Sequence, residues 1–398
     1  MDTSKVQVFK TAGRLLTGEN ASYLLAEQMQ HFNITRPLIV TDKGVLNAGI
    51  IDPVLEHLRS NEIERISIFS DITAEPETKT VEDCRTVFDR DDCNGVIAIG
   101  GGSAIDTAKA VSILNKPSAA LSSNSQKVSL GDLFGENLVP KRTTPLICLP
   151  TTAGTGSEVT NISILLDIND ELKKGIVSNE LLPDVAIVAP ELTLSCPPSV
   201  TAASGVDALV HAVESYLSKF ASDITRPLSL QAIRMITESL TTAYQEPNNI
   251  EAREQMATAS LIAGLAFGNA GVGAVHALAY PLGGKYHLSH GVSNAVMFSH
   301  VMRWNSESCP DKFVDIAIAM GAPTDGSINN SSGSAFVINK IKQLCEEVAI
   351  PQHLREFDIK HEDLKDLSES AIKATRLLRN NPRELSVEDI KAIYEEAY

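Results

Sequence analysis

Four residues in the second half of the chain carry side chains of the kind that hold a metal ion: Asp207, His211, His276 and His290. Asp207 and His211 lie in Gly205-Val206-Asp207-Ala208-Leu209-Val210-His211-Ala212, an apolar run that reads as a helix. Being four residues apart, they share one helix face and sit about 6 Å apart along the axis. One carboxylate and one imidazole at that spacing can bind one cation. His276 falls in Ala274-Val275-His276-Ala277-Leu278-Ala279-Tyr280-Pro281, and His290 in His287-Leu288-Ser289-His290-Gly291. An Asp/His3 set suits a borderline divalent ion, Fe(II) or Zn(II), with room for a substrate oxygen. The competing explanation is plain: a lone histidine on an apolar helix is commonly a hydrogen-bonded core residue. Two such burials, His211 and His276, would still need partners. His287 competes with His290 from three residues away.

A second constellation lies in the first half. Val96-Ile97-Ala98-Ile99 runs into Gly100-Gly101-Gly102-Ser103 and on into Ala104-Ile105-Asp106-Thr107-Ala108-Lys109, a good helix start. Glycines at a strand-to-helix junction let backbone N–H groups approach an anion closely, and the helix N-terminus adds partial positive charge. That suits a pyrophosphate, although the segment is not GxGxxG and follows a late strand. The alternative is a tight turn closed by Ser103 and Asp106 as a capping box. Pro150-Thr151-Thr152-Ala153-Gly154-Thr155-Gly156-Ser157-Glu158 also follows a strand, and its hydroxyls could line the same cofactor. Asp42 follows the strand ending at Thr41; a carboxylate there can bind an adenosine ribose and repel a 2′-phosphate, favouring NAD over NADP, or can simply start a turn.

The elements that must position these groups divide the chain in two. Pro37 to Thr41, Arg65 to Phe69, Gly95 to Ile99, Pro145 to Leu149 and Val185 to Val188 are strand-length apolar runs. Alternating with helical stretches, they imply an α/β domain with a parallel sheet and helices on both faces. From about Thr201 onward long helical periods dominate, as in Val337, Ile341, Leu344 and Val348, and the second domain is expected to be all helical. The boundary falls near 190–200, giving domains 1–195 and 196–398. Ser386-Val387-Glu388-Asp389 reads as a capping box for a last helix, and the Ser/Asn/Gly-rich stretch Ser327 to Ser334 as a surface loop.

The 398 residues are 43% hydrophobic, enough for a large core. A net charge of −16 argues against nucleic-acid or anionic-membrane partners. Six scattered cysteines without a CxxC pair suit reduced thiols. With a polar N-terminus and no membrane-length apolar run, a soluble cytoplasmic protein is expected.

Taken together, GGGSAIDTAKA (100–110), PTTAGTGSEVT (150–160), GVDALVHAVESYLS (205–218), HALAYPLGGKYHLSHGVSNAV (276–296) and NPRELSVEDI (381–390) resemble the iron-containing (group III) alcohol dehydrogenase family over nearly the whole chain. The resemblance implies a dinucleotide-binding domain, a helical domain, and a cleft between them holding metal and nicotinamide. By position, the metal ligands would be Asp207, His211, His276 and His290. Gly100, Gly101, Gly102, Ser103 and Asp106 would serve the cofactor, Thr151 and Thr152 would line it, and Asp42 matches the position favouring NAD. The family uses Fe(II) or Zn(II), and many members form dimers or larger homo-oligomers. Two positions depart from the pattern. Tyr280 replaces a histidine thought to help relay the proton, and a phenol titrating near pH 10 is a poorer shuttle. Ala74-Glu75-Pro76-Glu77 stands where many members carry Asn-Pro near the cofactor, which adds negative charge there.

The expected reaction is hydride transfer between NAD(H) and a small alcohol/aldehyde or ketone pair, aided by a Lewis-acidic metal. Phe267 is a candidate pocket wall, and Lys285 and Arg226 could serve an anionic substrate. The rivals are a transhydrogenase of the same family, a dehydroquinate-synthase-like lyase, and a non-catalytic nucleotide-binding protein.

Overall fold

The structure, a computed structural model, describes residues 6–114, 129–167 and 172–398. It divides into two compact units. The first comprises Thr11–Thr152 and Ser157–Ser195, the second Cys196–Tyr398 together with Ala153–Gly156 and the residues leading to Lys10.

In the first unit the order is β1 (Leu15–Thr17), α1 (Leu25–His31), β2 (Pro37–Val40), α2 (Lys43–Asn47), α3 (Asp52–Ser60), β3 (Ser67–Phe69) and α4 (Thr78–Arg90). There follow β4 (Gly95–Gly100), α5 (Gly102–Ile113), β5 (Gly135–Glu136), β6 (Leu146–Pro150), β7 (Ile162–Asp167), β8 (Leu172–Val177) and β9 (Val185–Val188). Six strands form one sheet in the order β1-β9-β6-β4-β2-β3, every pair parallel. Every residue of β2, β4, β6 and β9 is buried, because helices cover both faces of a parallel sheet and its strands have no solvent side. The period of two still sorts the residues. Leu38, Val40, Val96, Ala98, Leu146 and Cys148 enter one core with α4 and α5, whereas Ile39, Ile97, Ile99, Ile147 and Leu149 enter the other with α1 and α3.

The strand order reverses at β2. From β2 the chain steps outward to β3, then crosses back to place β4 on the other side of β2. The carboxyl ends of β2 and β4 therefore flank a topological switch point, the place where open α/β sheets leave a crevice for a ligand.

Several short strands were not foreseen. β1 is an edge strand of 3 residues, too short for periodicity to reveal. β7 and β8 pair antiparallel, and with β5 make a small second sheet. The expected strand at Arg65 shortens to Ser67–Phe69 at the opposite sheet edge.

The second unit is helical: α6 (Pro198–Leu217), α7 (Thr225–Gln245), α8 (Ile250–Ala270), α9 (Ala274–Tyr286), α10 (His290–Ser306), α11 (Pro310–Ala319), α12 (Asn330–Glu347), α13 (Leu364–Ala371), α14 (Thr375–Leu378) and α15 (Val387–Ala397). Pro198 starts α6 at its first turn, where a missing N–H costs nothing. Val337, Ile341, Leu344 and Val348 face one continuous core as their spacing requires. The stretch from Ser327, read as a loop, is partly helix: Asn329 caps α12 in a capping box with Ser332. Among the described residues no single helix is long and apolar enough to cross a membrane; the bent pair α8–α9 passes by length and composition, and its apolar residues lie largely in the helical core. No disulfide joins any of the six cysteines, all of which are described.

The expected capping box at α15 is present, with Ser386 accepting from Asp389 N and Asp389 accepting from Ser386 N. Ser386→Ala should therefore destabilise the protein by about 1 kcal/mol, read as a lower urea midpoint with an unchanged slope.

Candidate metal centre and nucleotide-binding turn

α6 presents Asp207 and His211 one turn apart, α9 presents His276 in its first turn, and α10 begins at His290. One donor atom from each of the four lies within 4.8 Å of the others. Asp207, His211 and His276 are 2%, 4% and 3% exposed, while the His290 side chain is 39% exposed. Three of the four side chains are thus buried and the fourth is partly exposed. His287 does not join them. That residue caps α9 in the left-handed conformation, with φ 56°, and its side chain is exposed.

Hydrogen bonds fix the state of two of these rings. His276 Nδ1 lies 2.7 Å from Glu214 Oε2, and His211 Nδ1 lies 3.2 Å from the Gly154 carbonyl. Both partners only accept, so each Nδ1 carries the proton and each Nε2 is left with a lone pair. Yet the two Nε2 atoms stand 3.0 Å apart. Neither has a proton to give the other. Burial pushes His211 down to about 4, against the pull of Asp207, so protonation does not relieve the conflict at neutral pH. Burial also opposes the charge on Asp207, but His211, His290, His276 and a hydrogen bond from Asn294 outweigh it and hold the carboxyl below its usual range. Lone pairs and a carboxylate converging at buried positions suit a divalent cation, and the donor set fits Fe(II) or Zn(II).

Around the cluster, Asn294 Nδ2 donates to Asp207 Oδ1 at 2.6 Å, and Phe267 stacks on His211 with centroids 4.2 Å apart. Phe267 therefore braces a candidate ligand. Tyr280 is partly buried against the helical core, its ring 6.5 Å from that of His290.

The glycine turn stands at the switch point of the sheet. Gly100 ends β4 and Gly101 precedes α5, whose start has no side-chain cap. The first amides of α5 are consequently open to an anion. A Cβ at Gly100 would meet Ala104 Cβ at 2.6 Å, so the close turn requires glycine there. Thr151 N donates to Gly100 O at 3.1 Å, and Thr152 Oγ1 is 3.5 Å from a Cβ placed on Gly101. Asp42 caps α2 through Oδ1, 3.0 Å from Val45 N, and its Oδ2 lies 3.7 Å from a Cβ placed on Gly100. It thus serves the turn and borders the crevice at once. This uncapped, glycine-lined helix start can receive an anion such as a pyrophosphate.

The family described as "Iron-containing alcohol dehydrogenase" matches residues 12–190, and "Fe-containing alcohol dehydrogenase family, C-terminal" matches 201–398. The chain belongs to the iron-containing alcohol dehydrogenase family. A 1,3-propanediol dehydrogenase of Citrobacter freundii is 39% identical over 386 residues, covering 96% of each chain. A crystal structure of a 1,3-propanediol oxidoreductase superposes with a TM-score of 0.93 at 37% identity, covering 99% of this chain and 100% of that one. The sulfoacetaldehyde reductase of Bifidobacterium kashiwanohense, solved in complex with NAD+, gives 0.86 at 28% identity and 98% coverage of both. This alcohol dehydrogenase is accordingly an alcohol/aldehyde oxidoreductase.

Some expected residues have other duties in this alcohol dehydrogenase. No capping box forms at Ser103: its hydroxyl donates to Ala74 O at 2.6 Å. Asp106 accepts from Ser157 Oγ at 2.6 Å and Ile164 N at 2.9 Å, so its carboxylate braces β7 from within rather than reaching for phosphate. Beside it, the fully buried Lys109 donates to Ser157 Oγ, the Thr160 hydroxyl and carbonyl, and Ile162 O. Burial disfavours both charges, lowering the lysine and raising the aspartate. The extra negative charge feared at Glu75 is met by Lys173 Nζ at 2.5 Å. Lys285 pairs with Asp363 and Arg226 with Asp223. Glu214, Asn294 and the Gly154 carbonyl were not singled out beforehand. Glu214 had a signal: 207, 211 and 214 follow the helical spacing that puts all three on one face.

Because the unfolded chain protonates histidine near 6.5 and the fold holds His211 neutral to about 4, the unfolded state binds more protons in that window. Metal-free protein should thus lose stability as pH falls from 6.5 towards 4. Histidine NMR of the metal-free protein should show the His211 ring unprotonated at pH 5; titration near 6.5 would contradict the burial-lowered proton affinity of that ring.

Proposed function

We propose that this alcohol dehydrogenase is NAD-dependent and metal-requiring, with Asp207, His211, His276 and His290 as the ligands of one Fe(II) or Zn(II). The observation carrying the proposal is the confrontation of two Nε2 lone pairs 3.0 Å apart beside a buried carboxylate. A cation held there supplies Lewis acidity towards an alcohol or carbonyl oxygen. NAD supplies the hydride acceptor, and its reduced form the donor.

The protein's own groups bind and orient. Gly100, Gly101, Gly102 and the Ser103 amide hold the pyrophosphate at the start of α5. Thr151 and Thr152 line the cofactor, and Asp42 hydrogen-bonds the adenosine ribose while its charge disfavours a 2′-phosphate. Burial of Asp207, His211 and His276 keeps water from competing for the ligand atoms. Tyr280, one helical turn beyond His276, offers a hydroxyl that orients substrate by hydrogen bonding. The substrate is a small alcohol or aldehyde, and the enzyme acts as a homodimer or larger homo-oligomer in the cytoplasm.

The decisive experiment strips the metal, reloads Fe(II) or Zn(II), and follows NADH formation over a panel of short diols, alkanols and hydroxy acids, with NAD(P)H oxidation in reverse. Metal-restored turnover selective for NAD is expected. Reloaded protein that binds NAD and metal yet moves no hydride would overturn the reading in favour of a transhydrogenase with resident nicotinamide or a lyase. His276→Ala should abolish both metal retention and turnover while leaving the circular dichroism spectrum intact; a metal-bound, active variant would remove His276 from the ligand set.

Asp42→Asn keeps an N-cap oxygen but loses the charge. It should narrow the NAD/NADP ratio of kcat/KM by at least about tenfold, equivalent to ~1.4 kcal/mol. An unchanged ratio would take Asp42 away from the ribose.

A further inference from the structure

Glu214 does more than touch one histidine. It lies on α6 one turn beyond His211, is 3% exposed, and accepts three N–H groups from the start of α9. Gly273 N is 2.9 Å from Oε2, Val275 N is 2.6 Å from Oε1, and His276 Nδ1 is 2.7 Å from Oε2. The amide between them, Ala274 N, goes to Asn381 Oδ1 at 3.3 Å. Asn381 is itself held by reciprocal bonds with Asn305 of 2.9 and 2.8 Å. α9 has no cap of its own, because its N-cap is Gly273. A Cβ on Gly273 would come within 3.0 Å of Asn381 Oδ1 and 3.2 Å of Glu214 Oε1, so glycine lets the two side chains in.

A buried carboxylate is tolerated when charge-assisted bonds surround it and a helix N-terminus faces it. Here one carboxylate does two jobs. It anchors the first turn of α9, which sets where His276 stands, and it holds the proton on Nδ1, which sets what His276 offers. We propose that Glu214 is a positioning residue that tunes metal affinity by fixing both the place and the tautomer of His276. The inference rests on the metal-site reading above. A carboxylate behind a ligating imidazole also raises its basicity, and loss of such a partner typically costs 10–100-fold in metal affinity.

Glu214→Gln separates this role from simple helix capping. A glutamine has one acceptor oxygen where three donors converge. Either it leaves an amide of α9 unpaired, or its own N–H faces His276 Nδ1 and drives the proton to Nε2, where it blocks a cation. Asn381→Ala loosens the same helix start without touching the imidazole.

The test measures Co(II) and Zn(II) affinity of metal-stripped, full-length protein by competition with a chelating dye, together with the Co(II) visible spectrum and thermal melts. Glu214→Gln should lose roughly 10–100-fold in affinity and shift the Co(II) bands. Asn381→Ala should melt earlier with near-wild-type affinity and spectrum. Wild-type affinity and an unshifted spectrum in Glu214→Gln would overturn the proposal, as would equal affinity losses in both variants, which would reduce Glu214 to a helix anchor. Should Glu214→Gln not fold, Glu214→Asp keeps the charge but shortens the reach, and the same loss is expected from it. Wild-type protein that takes up no metal would instead sink the metal-site reading, and this inference with it.

Discussion

Two imidazole nitrogens, those of His211 and His276, face each other at 3.0 Å with their lone pairs inward. Left alone, that contact is repulsive, and a core free to relax would turn one ring away. Neither ring is free. His211 is tied to the Gly154 carbonyl and stacked on Phe267, and His276 is tied to Glu214. Much of the helical unit can be traced to this constraint. α6 must bring a carboxylate, an imidazole and a second carboxylate to one buried face, although most of that helix's buried residues are apolar. Asn294 must clamp Asp207 from α10. Such an arrangement spends folding energy on a preformed charge pattern, which is characteristic of a binding centre rather than of a core.

The parallel sheet answers a different need. Its chemistry is made of backbone, and backbone is exposed usefully only where strands end and helices begin. The reversal of strand order at β2 opens that place. Gly100 then lets the chain turn hard against Ala104. The buried Lys109 and Asp106 hold the following segments, Ser157 to Ile164, in register behind the turn. A motif that reads as one cofactor signature therefore divides into glycines that meet the crevice and polar residues that hold the scaffold.

How much of this was visible in the residues alone follows from the range of each interaction. The sheet strands and α12 announced themselves through local periodicity. Asp207 with His211 and the glycine turn were legible because each is a short-range pattern. What stayed hidden depends on partners distant in sequence. Glu214 shares a helix face with the metal-site pair, but nothing local says that His276, 62 residues on, receives it. The choice of His290 over His287 is made by a backbone detail: the left-handed cap of α9 turns one outward, and the new helix starts with the other. Ser103 and Asp106 fit a capping pattern, yet longer-range acceptors and donors claimed both side chains. β1 escaped notice because three residues carry no period.

The start of α9 is held by Asn381, 107 residues further on, and Tyr394 donates to Leu278 O, 116 residues back, from within the core. Both braces bear on the helix that carries His276. α6 carries Asp207 and His211 on one continuous helix, whereas α9 draws its clamps from the segment around 380–394. Contacts of such long sequence separation form late because the intervening loop must close first. The helix that carries His276 is thus tied to the stretch 380–394, and truncation before residue 381 would remove both clamps at once.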